Sequence, residues 1–176
     1  LVRDSFLRLF YSRFVRLLYL GDNSRKHYLR LGVPEKKLAF SPHCVDTTHF
    51  QRDDGSRRQL RKQTRQALEI ADDRLVFVFV GKLVAIKCPR LILRALKRLP
   101  SELRRKSVVL YVGAGELESE LRDAANHHPR VDTRFVGFQN QRALSQYYHG
   151  ADALILPSRT GETWGLVVNE ALHHGL

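Results

Sequence analysis

The chain contains no methionine and only two cysteines among its 176 residues. Cys44 and Cys88 stand far apart and show no metal-ligand spacing, so we predict a reducing, cytoplasmic setting and no metal site. No apolar run approaches the roughly 20 residues of a membrane span. Arginines interrupt residues 1–20, which argues against a signal peptide there. The missing initiator methionine indicates a piece of a longer protein.

Acidic residues are scarce beside basic ones. The chain has 18 acidic and 30 basic side chains, which gives a formal net charge of +12. Such a balance favours polyanionic partners, namely nucleic acid, anionic lipid or phosphorylated small molecules. No homeodomain, zinc-finger or RRM signature is present, and the aromatics are not interleaved with basic residues as in single-strand binders. Nucleic acid is therefore disfavoured as a partner, although a basic binding module for nucleic acid or anionic membrane stays open as an alternative.

Residues 5–18 predict a basic amphipathic helix. Apolar side chains recur at helical spacing, and arginines occupy the other face. The apolar set is Phe6, Leu9, Phe10, Phe14 and Leu17. Such a helix can lie on a membrane surface, which would place the protein peripherally at the inner face of the membrane. It can equally pack on the remainder of a larger domain, and both interpretations stay open.

Changes in composition divide the chain into three parts. Residues 1–50 contain helices and two short strands, one at "LYL" before Gly21 and one from Leu38 to Phe40, and form the end of one α/β domain. Residues 51–74 are polar and highly charged, with a helix that lacks a strong apolar stripe, and we predict that they link two domains. Residues 75–176 form the second domain, which we expect to be incomplete at its C-terminus.

Residues 75–176 predict a doubly wound parallel sheet. Continuous apolar runs such as "RLVFVFVG" and "SVVLYVG" alternate with amphipathic helices such as "CPRLILRALKRL". Strands that are apolar on both faces are typical of parallel sheets covered by helices on both sides. Such sheets bind ligands at the carboxyl ends of their strands. The loops at residues 81–87, 113–115, 137–141 and 157–165 all belong to that edge, where we expect a site.

Two lysines follow the first of these strands. Lys82 and Lys87 come after Gly81, so their ammonium groups can converge above the sheet edge. Two cations there suit a diphosphate, whose negative charge grows when it departs as a leaving group. The alternative is a pair of solvated surface lysines. The "GAG" at 113–115 predicts a tight strand-to-helix turn, because it is too short for a dinucleotide fingerprint.

The last loop carries the strongest signal. Gly165 opens a helix, so the amides of residues 164–167 have no partner within the helix and the helix dipole adds about half a positive charge there. These amides form a seat for phosphate. Glu162 lies one turn earlier, beside whatever the phosphate carries. Glu170 lies inside the helix, where it accepts hydrogen bonds from a ligand diol or, alternatively, pairs with a Lys or Arg of a neighbouring strand.

Four segments, taken in order, resemble a known family. They are "FVGKLVAIK", "YVGAGELESEL", "FVGFQNQRALSQYYHGADALILPS" and "ETWGLVVNEAL". Over residues 38–176 the chain resembles the C-terminal, donor-binding domain of retaining GT-B glycosyltransferases of group 1, or family 4. The E-x7-E pattern of Glu162 and Glu170, with Gly165 between them, is the specific element. The resemblance implies a Rossmann-like donor domain at 75–176 that follows the end of an acceptor domain at 1–50, in a chain truncated at both ends.

The resemblance also implies roles for single residues. Glu170 would bind the ribose hydroxyls of the nucleotide, Glu162 would contact the transferred sugar, and Lys82 and Lys87 would bind the diphosphate. These last three residues would be the catalytic ones. Donor contacts would come from Gly81, Lys82, Lys87, Phe138, Gln139, Trp164, Gly165, Leu166, Val167 and Glu170, with Phe138 and Gln139 along the base. The chain departs from the commoner pattern with Lys82 in place of Arg, Cys88 in place of Gly, and "ETWG" in place of "EGFG".

The implied reaction moves a hexose-type sugar from a nucleotide-diphosphate-sugar donor to an acceptor hydroxyl, with retention at the anomeric carbon. Lysines and helix amides would stabilise the departing diphosphate, so we expect no metal and no cofactor beyond the nucleotide-sugar co-substrate. The acceptor would be a carbohydrate or a lipid-linked molecule. A nucleotide-sugar epimerase or a phosphorylase on the same fold is the rival among enzymes. The chain alone is expected to bind nucleotide weakly, if at all, and not to turn over.

Overall fold

The computed structural model describes residues 2–48, 50, 53–127, 131–159, 162 and 164–176. The chain forms two compact units, Leu1–Cys44 and Val45–Leu176. The sequence predicts a boundary at residue 50 and a link over 51–74, whereas this division falls after Cys44 and leaves the predicted link in the second unit. Gln51 and Arg52 lie outside the described residues. The assignment of the parts to an acceptor and a donor domain stays a prediction.

The first unit is a small α/β arrangement. It contains α1 (Val2–Ser12), β1 (Leu17–Tyr19), α2 (Asp22–Arg30) and β2 (Leu38–Phe40). The two strands pair in parallel, with Leu17 opposite Leu38. These two side chains and Val33 form the buried apolar cluster of this unit.

Helix α1 is shorter than its apolar pattern predicts. It ends at Ser12, so the prediction of a helix over residues 5–18 is wrong at its C-terminal end. The physical reason is strand pairing, since Leu17 is buried in β1 opposite Leu38 and does not continue the apolar face of the helix. None of the described residues of α1 is buried, and Phe6 is 64% exposed.

The second unit alternates strands and helices in the predicted order. Its elements are α3 (Asp54–Ala67), β3 (Leu75–Val80), α4 (Arg90–Lys97), α5 (Ser101–Lys106), β4 (Ser107–Val112), α6 (Glu118–Asn126), β5 (Asp132–Phe135), α7 (Gln141–Gly150), β6 (Ala153–Leu154) and α8 (Leu166–His173). The strands form one parallel sheet in the order β5-β4-β3-β6. The short helix α5 is an addition that the apolar pattern does not predict.

Helices cover both faces of this sheet. Successive side chains of a strand point to opposite faces, so β3 and β4 contribute to two separate apolar cores. One core includes residues of α7 and α8, and the other includes residues of α4 and α6. Every residue of β4 is buried, which explains its unbroken apolar run. The predicted fold class, an α/β fold with a doubly wound parallel sheet, is confirmed.

Helix α3 packs on α7 through polar groups. Arg65 is 1% exposed and donates to Asp152 at 2.7 Å and to the Gly150 carbonyl oxygen at 3.0 Å. Thr64 lies so near Gly150 that a Cβ on this glycine would stand 2.9 Å from the Thr64 Cγ2. The helix therefore packs closely without an apolar stripe, because a hydrogen-bonded arginine and a glycine contact take the place of apolar side chains.

Candidate active site

Three loops join at the carboxyl edge of the sheet. The Gly81 N–H donates to the Val112 carbonyl at 3.0 Å, and the Gly113 N–H donates to the Gly137 carbonyl at 2.8 Å. A Cβ on Gly113 would stand 1.9 Å from the Gly81 oxygen, and the φ of Gly113 is +145°. Only glycine fits such a close backbone approach. This agrees with the interpretation of "GAG" as a tight turn, and it brings the first three predicted loops together.

A cavity of about 350 Å³ opens between these loops. Its walls include four of the predicted donor-binding residues, Gly81, Lys82, Phe138 and Gln139, together with Val80, Val112, Gly113, Ala114 and Leu144. The lining is mostly apolar, with one ammonium group at its rim. Phe138 is 78% exposed, and the Gln139 side-chain amide donates to the Val136 carbonyl at 2.7 Å. An apolar slot with few polar groups and an exposed aromatic ring suits a planar, partly polar ligand.

Lys87 contacts Glu162 across this edge. The Lys87 Nζ lies 2.5 Å from the Glu162 Oε2, and the Ser158 hydroxyl donates to the same oxygen at 3.0 Å. The hydrogen bond from Lys87 holds the pKa of Glu162 below its usual range, although partial burial acts in the opposite direction. Two of the predicted catalytic residues thus meet, whereas the third, Lys82, lines the cavity. Thr160, Gly161 and Thr163 lie outside the described residues.

Cys88 follows Lys87 in a left-handed backbone conformation. Its φ is 50° and its ψ is 40°, a region that glycine enters without steric cost and other residues rarely enter. In the family that the chain resembles, glycine is frequent at the position of Cys88. The backbone geometry gives the physical reason, since the turn that carries Lys87 requires a left-handed residue.

Helix α8 begins where the sequence predicts. Gly165 is its N-cap with a φ of 73°, and Leu166 and Val167 are its first two residues. A Cβ on Gly165 would stand 3.3 Å from the Leu156 Cδ2, so this glycine also fits a tight space. Trp164 precedes the cap and is half-buried. The first-turn amides of α8 therefore follow directly on the Glu162 loop, as a phosphate seat requires.

Glu170 is hydrogen-bonded to a tyrosine of the neighbouring helix α7. It is 9% exposed, and its Oε2 accepts a hydrogen bond of 2.6 Å from the Tyr148 hydroxyl of α7. Among the residues that the structure describes, this carboxyl group has a tyrosine as its partner instead of the Lys or Arg that the alternative interpretation predicted. Burial, and then the Glu170 carboxyl group, raise the pKa of Tyr148, so its hydroxyl keeps its proton. The ribose-binding role of Glu170 stays a prediction.

Tyr148 is the residue of this site that sequence reasoning missed. It stands four residues after Leu144 on the apolar side of α7 and is fully buried. A buried tyrosine usually has a hydrogen-bond partner for its hydroxyl. The tyrosine in the apolar stripe of α7 therefore gave a signal that its hydroxyl has a buried partner, but not which residue that partner is.

Two general absences hold within the described part of the chain. No group of three or more His, Cys, Asp or Glu side chains there could hold a metal ion. No helix there is both long enough and apolar enough to cross a membrane.

Comparison with known proteins identifies the family. The sequence profile described as "Glycosyl transferases group 1" matches residues 61–176. A D-inositol 3-phosphate glycosyltransferase of Actinosynnema mirum is 36% identical over 148 residues, which cover 78% of this chain and 33% of that protein. The chain thus spans about a third of the length of this relative.

Solved structures agree on the fold. WaaG, a glycosyltransferase involved in lipopolysaccharide biosynthesis, aligns over 92% of this chain and 42% of its own, with a TM-score of 0.73 and 22% identity. The Anabaena protein Alr3699/HepE, solved in complex with UDP-glucose, aligns over 99% of this chain and 47% of its own, with a TM-score of 0.74 and 18% identity. At such identities the likeness establishes the GT-B fold alone. Because the family profile covers well over half of its residues, the chain belongs to the group 1 glycosyl transferases.

Proposed function

We propose that the protein containing this chain transfers a sugar from a nucleotide-diphosphate-sugar donor to an acceptor hydroxyl, and that this chain supplies the donor site. The observation that carries the proposal is the contact between Lys87 and Glu162 at the carboxyl edge, directly before the N-terminus of α8. A cation, a carboxylate and unpaired helix amides are the groups that a diphosphate and a sugar need. The comparisons favour neither a basic binding module nor an epimerase.

The departing diphosphate is stabilised by fixed positive groups. An ammonium group has three N–H donors, so Lys87 keeps its bond to Glu162 and still reaches a phosphate oxygen. Lys82 adds a second cation from the cavity rim, and the amides of Leu166 and Val167 add the positive end of the α8 dipole. These groups stabilise the charge that develops as the donor bond breaks, without a metal ion or another cofactor.

The remaining donor groups follow from the family resemblance. The base lies against Phe138 and Gln139, the ribose hydroxyls bind Glu170, and the transferred sugar contacts Glu162. We include retention of the anomeric configuration, and membership of family 4, in the proposal. The complex of the Anabaena protein with UDP-glucose supports a nucleotide-sugar donor for the present chain.

The acceptor and the place of action are part of the same proposal. The relatives named above support a carbohydrate or lipid-linked acceptor, and we place the enzyme in the cytoplasm. Peripheral contact with a membrane through α1 stays a prediction. Sedimentation of the full-length protein with anionic vesicles tests it, and failure to sediment would remove it.

Donor binding tests the proposal. The full-length protein is mixed with UDP-, GDP- and ADP-sugars, and its melting temperature is measured beside that of Glu170→Ala. We expect one donor to raise the melting temperature of the wild type by several degrees and that of the variant by much less. The product formed from this donor then shows, by proton NMR, the anomeric configuration of the donor, and EDTA leaves the rate unchanged. Absence of a shift with every donor would contradict the donor site, and an inverted product would contradict retention.

A further inference from the structure

Tyr148 and Glu170 form a buried pair between two helices. Tyr148 lies on α7 with 0% exposure, Glu170 lies on α8 with 9%, and the hydroxyl oxygen stands 2.6 Å from the Glu170 Oε2. A buried carboxyl group without a partner costs several kcal/mol, so this hydrogen bond is needed wherever Glu170 has no ligand. The hydrogen bond also affects how the carboxyl group can bind a ligand.

The tyrosine hydroxyl leaves the carboxylate able to accept further hydrogen bonds. A carboxylate has about four acceptor positions on two oxygens, and one hydroxyl occupies one of them. A lysine or arginine in the same place would neutralise the charge and add several donors that compete with a ligand. Burial raises the pKa of Tyr148, so the residue remains a single fixed donor. The hydrogen bond therefore fixes one carboxylate oxygen and leaves acceptor positions of Glu170 for further donors.

The surroundings of Tyr148 fix the position of its ring. The ring of His174 stacks on it with centroids 4.9 Å apart. His174 is held in turn, because its Nδ1 lies 2.6 Å from the Glu170 carbonyl oxygen and its Nε2 lies 2.9 Å from the Ser145 Oγ. The phenol oxygen thus has little freedom, and the carboxyl group that it binds is held in one orientation.

We propose that Tyr148 is a positioning residue, which orients the Glu170 carboxyl group for the two ribose hydroxyls of the donor nucleotide. The inference rests on the proposed function, because it assumes that Glu170 binds ribose. Without the tyrosine hydroxyl the carboxyl group rotates or finds another donor, and the site loses its preference for a ribose that carries hydroxyls. Binding of the base and the diphosphate is not affected directly.

A discrimination ratio tests this inference. The probes are the nucleoside diphosphate of the donor that binds in the thermal experiment and its 2′,3′-dideoxy counterpart, both titrated into the full-length protein. A site built to bind hydroxyls rejects the analogue that lacks them. The discrimination ratio is the dissociation constant of the dideoxy analogue divided by that of the nucleoside diphosphate. We expect Tyr148→Phe to reduce this ratio about tenfold, the effect of one hydrogen bond to a charged group. Glu170→Ala should bring the ratio near one.

Tyr111→Phe is the matched control. Tyr111 is also fully buried, and its hydroxyl donates to the Pro89 carbonyl at 2.9 Å, away from Glu170. It should lower the melting temperature in the same way as Tyr148→Phe but leave the ratio unchanged. An unchanged ratio in folded Tyr148→Phe, with a reduced ratio in Glu170→Ala, would overturn the positioning role and leave the donor site intact. An unchanged ratio in Glu170→Ala would overturn the ribose assignment, and the proposal with it.

A second variant covers the case in which Tyr148→Phe does not fold. Replacement of Tyr148 by p-aminophenylalanine keeps the ring and an N–H donor at the same place. The ratio should stay within about threefold of the wild type, because a neutral donor to the carboxylate is retained. A ratio as low as that of Glu170→Ala in this folded variant would overturn the inference.

Discussion

The two edges of the parallel sheet each carry a carboxylate bonded to basic side chains, and the two groups of charges differ in what else they bind. At the amino edge, Asp152 accepts from Arg61 at 2.6 Å, from Arg65 at 2.7 Å and from the Val76 N–H at 2.7 Å. At the carboxyl edge, Lys87 has Glu162 as its partner among the described residues, and Ser158 adds one bond to that carboxylate. Asp152 thus accepts three hydrogen bonds from the protein, whereas Lys87 has one carboxylate partner among the described residues and keeps N–H donors for a ligand.

From this difference we expect a structural role for the ion pairs of Asp152 and a ligand-binding role for Lys87 and Glu162. The Arg65 guanidinium donates hydrogen bonds to Asp152 and to the carbonyls of Gly150, Asp72 and Arg74. These bonds connect α3 to the segments that precede β3 and β6. Burial alone would raise the pKa of Asp152, but hydrogen bonds from the Val76 N–H and Arg61, together with the charge of Arg65, hold it below its usual range. A charge that is fully bonded inside the protein stabilises the fold. A lysine that keeps free N–H groups beside glycine loops can bind phosphate.

The largest effect is expected at the amino edge. Asp152→Ala leaves the buried Arg65 without its carboxylate and should lower the free energy of unfolding by about 3 kcal/mol, as measured by urea denaturation. Asp73→Ala, which removes an exposed carboxylate, should cost less than about 0.5 kcal/mol. Donor affinity of the folded fraction of Asp152→Ala should equal that of the wild type. A stability loss no greater than that of Asp73→Ala would remove the distinction between the edges.

At the carboxyl edge we expect the opposite result, a large loss of activity with little loss of stability. Lys87→Ala removes a cation from the developing diphosphate charge and should lower kcat/KM about 100-fold, by analogy with loss of one transition-state donor. Its free energy of unfolding should change little, because the pair is partly exposed, with side-chain exposures of 30% and 24%. Lys62→Ala, an exposed lysine on α3, serves as the control and should leave the rate unchanged. Equal rates for the two variants would show that Lys87 does not stabilise the departing diphosphate.

The two edges should also respond to different ranges of pH. Burial, and then the neighbouring His174, lower the pKa of His149 to about 4 from its ordinary 6.5, whereas the unfolded chain keeps the ordinary value. Between these two values the unfolded state binds the extra proton, so the free energy of unfolding should fall as the pH drops from 6.5 towards 4. His149→Gln should flatten this slope in melting temperatures recorded across the range. A slope of the same size in the variant would assign it to another group.

Protonation of Glu162 should set the acid limit of kcat/KM. Its pKa lies below the ordinary 4.5, so the stabilisation from its pair with Lys87 is present above that value and is lost as the pH falls through the folded-state pKa. The acid limb of kcat/KM should therefore lie below pH 4.5 in the wild type, provided that the measurement uses a pH-jump too short for unfolding. Lys87→Gln should move that limb upward. An unmoved limb would mean that another group controls it.

The smallest effect is a gain in stability at the carboxyl edge. Cys88→Gly relieves a left-handed residue and should raise the free energy of unfolding by about 0.5 kcal/mol, after the larger backbone entropy of glycine in the unfolded chain is subtracted. Cys44→Gly adds the same entropy without that relief and should destabilise. If both substitutions destabilise equally, the turn that carries Lys87 is not strained.

The sheet and its loops can be predicted from the sequence, because the residue patterns that indicate them are local. The apolar runs of β3 and β4 are largely buried, and Gly113 after β4 marks a backbone contact that no side chain permits. The start of α8 at Gly165 also follows from local chemistry. These features depend on residues close together in the chain, so the sequence predicts them well.

The sequence does not predict the partners of buried polar groups, because these partners are far apart along the chain. Arg65 bonds to Asp152 across 87 positions, and Tyr148 bonds to Glu170 across 22. Which polar side chains meet depends on how helices pack, and the apolar pattern of each helix does not encode that choice. The end of α1 was misjudged because Leu17 satisfies a helical pattern and a strand pattern alike.

The most direct measurement is a crystal structure of the full-length protein with the donor that stabilises it. We expect the diphosphate within about 4 Å of Lys82 and Lys87 at the first turn of α8, with the ribose hydroxyls on Glu170. The amino-edge contacts of Asp152 should be unchanged. A donor bound elsewhere, with Lys87 still bonded to Glu162 and no phosphate beside it, would contradict the assignment of the carboxyl edge as the donor site.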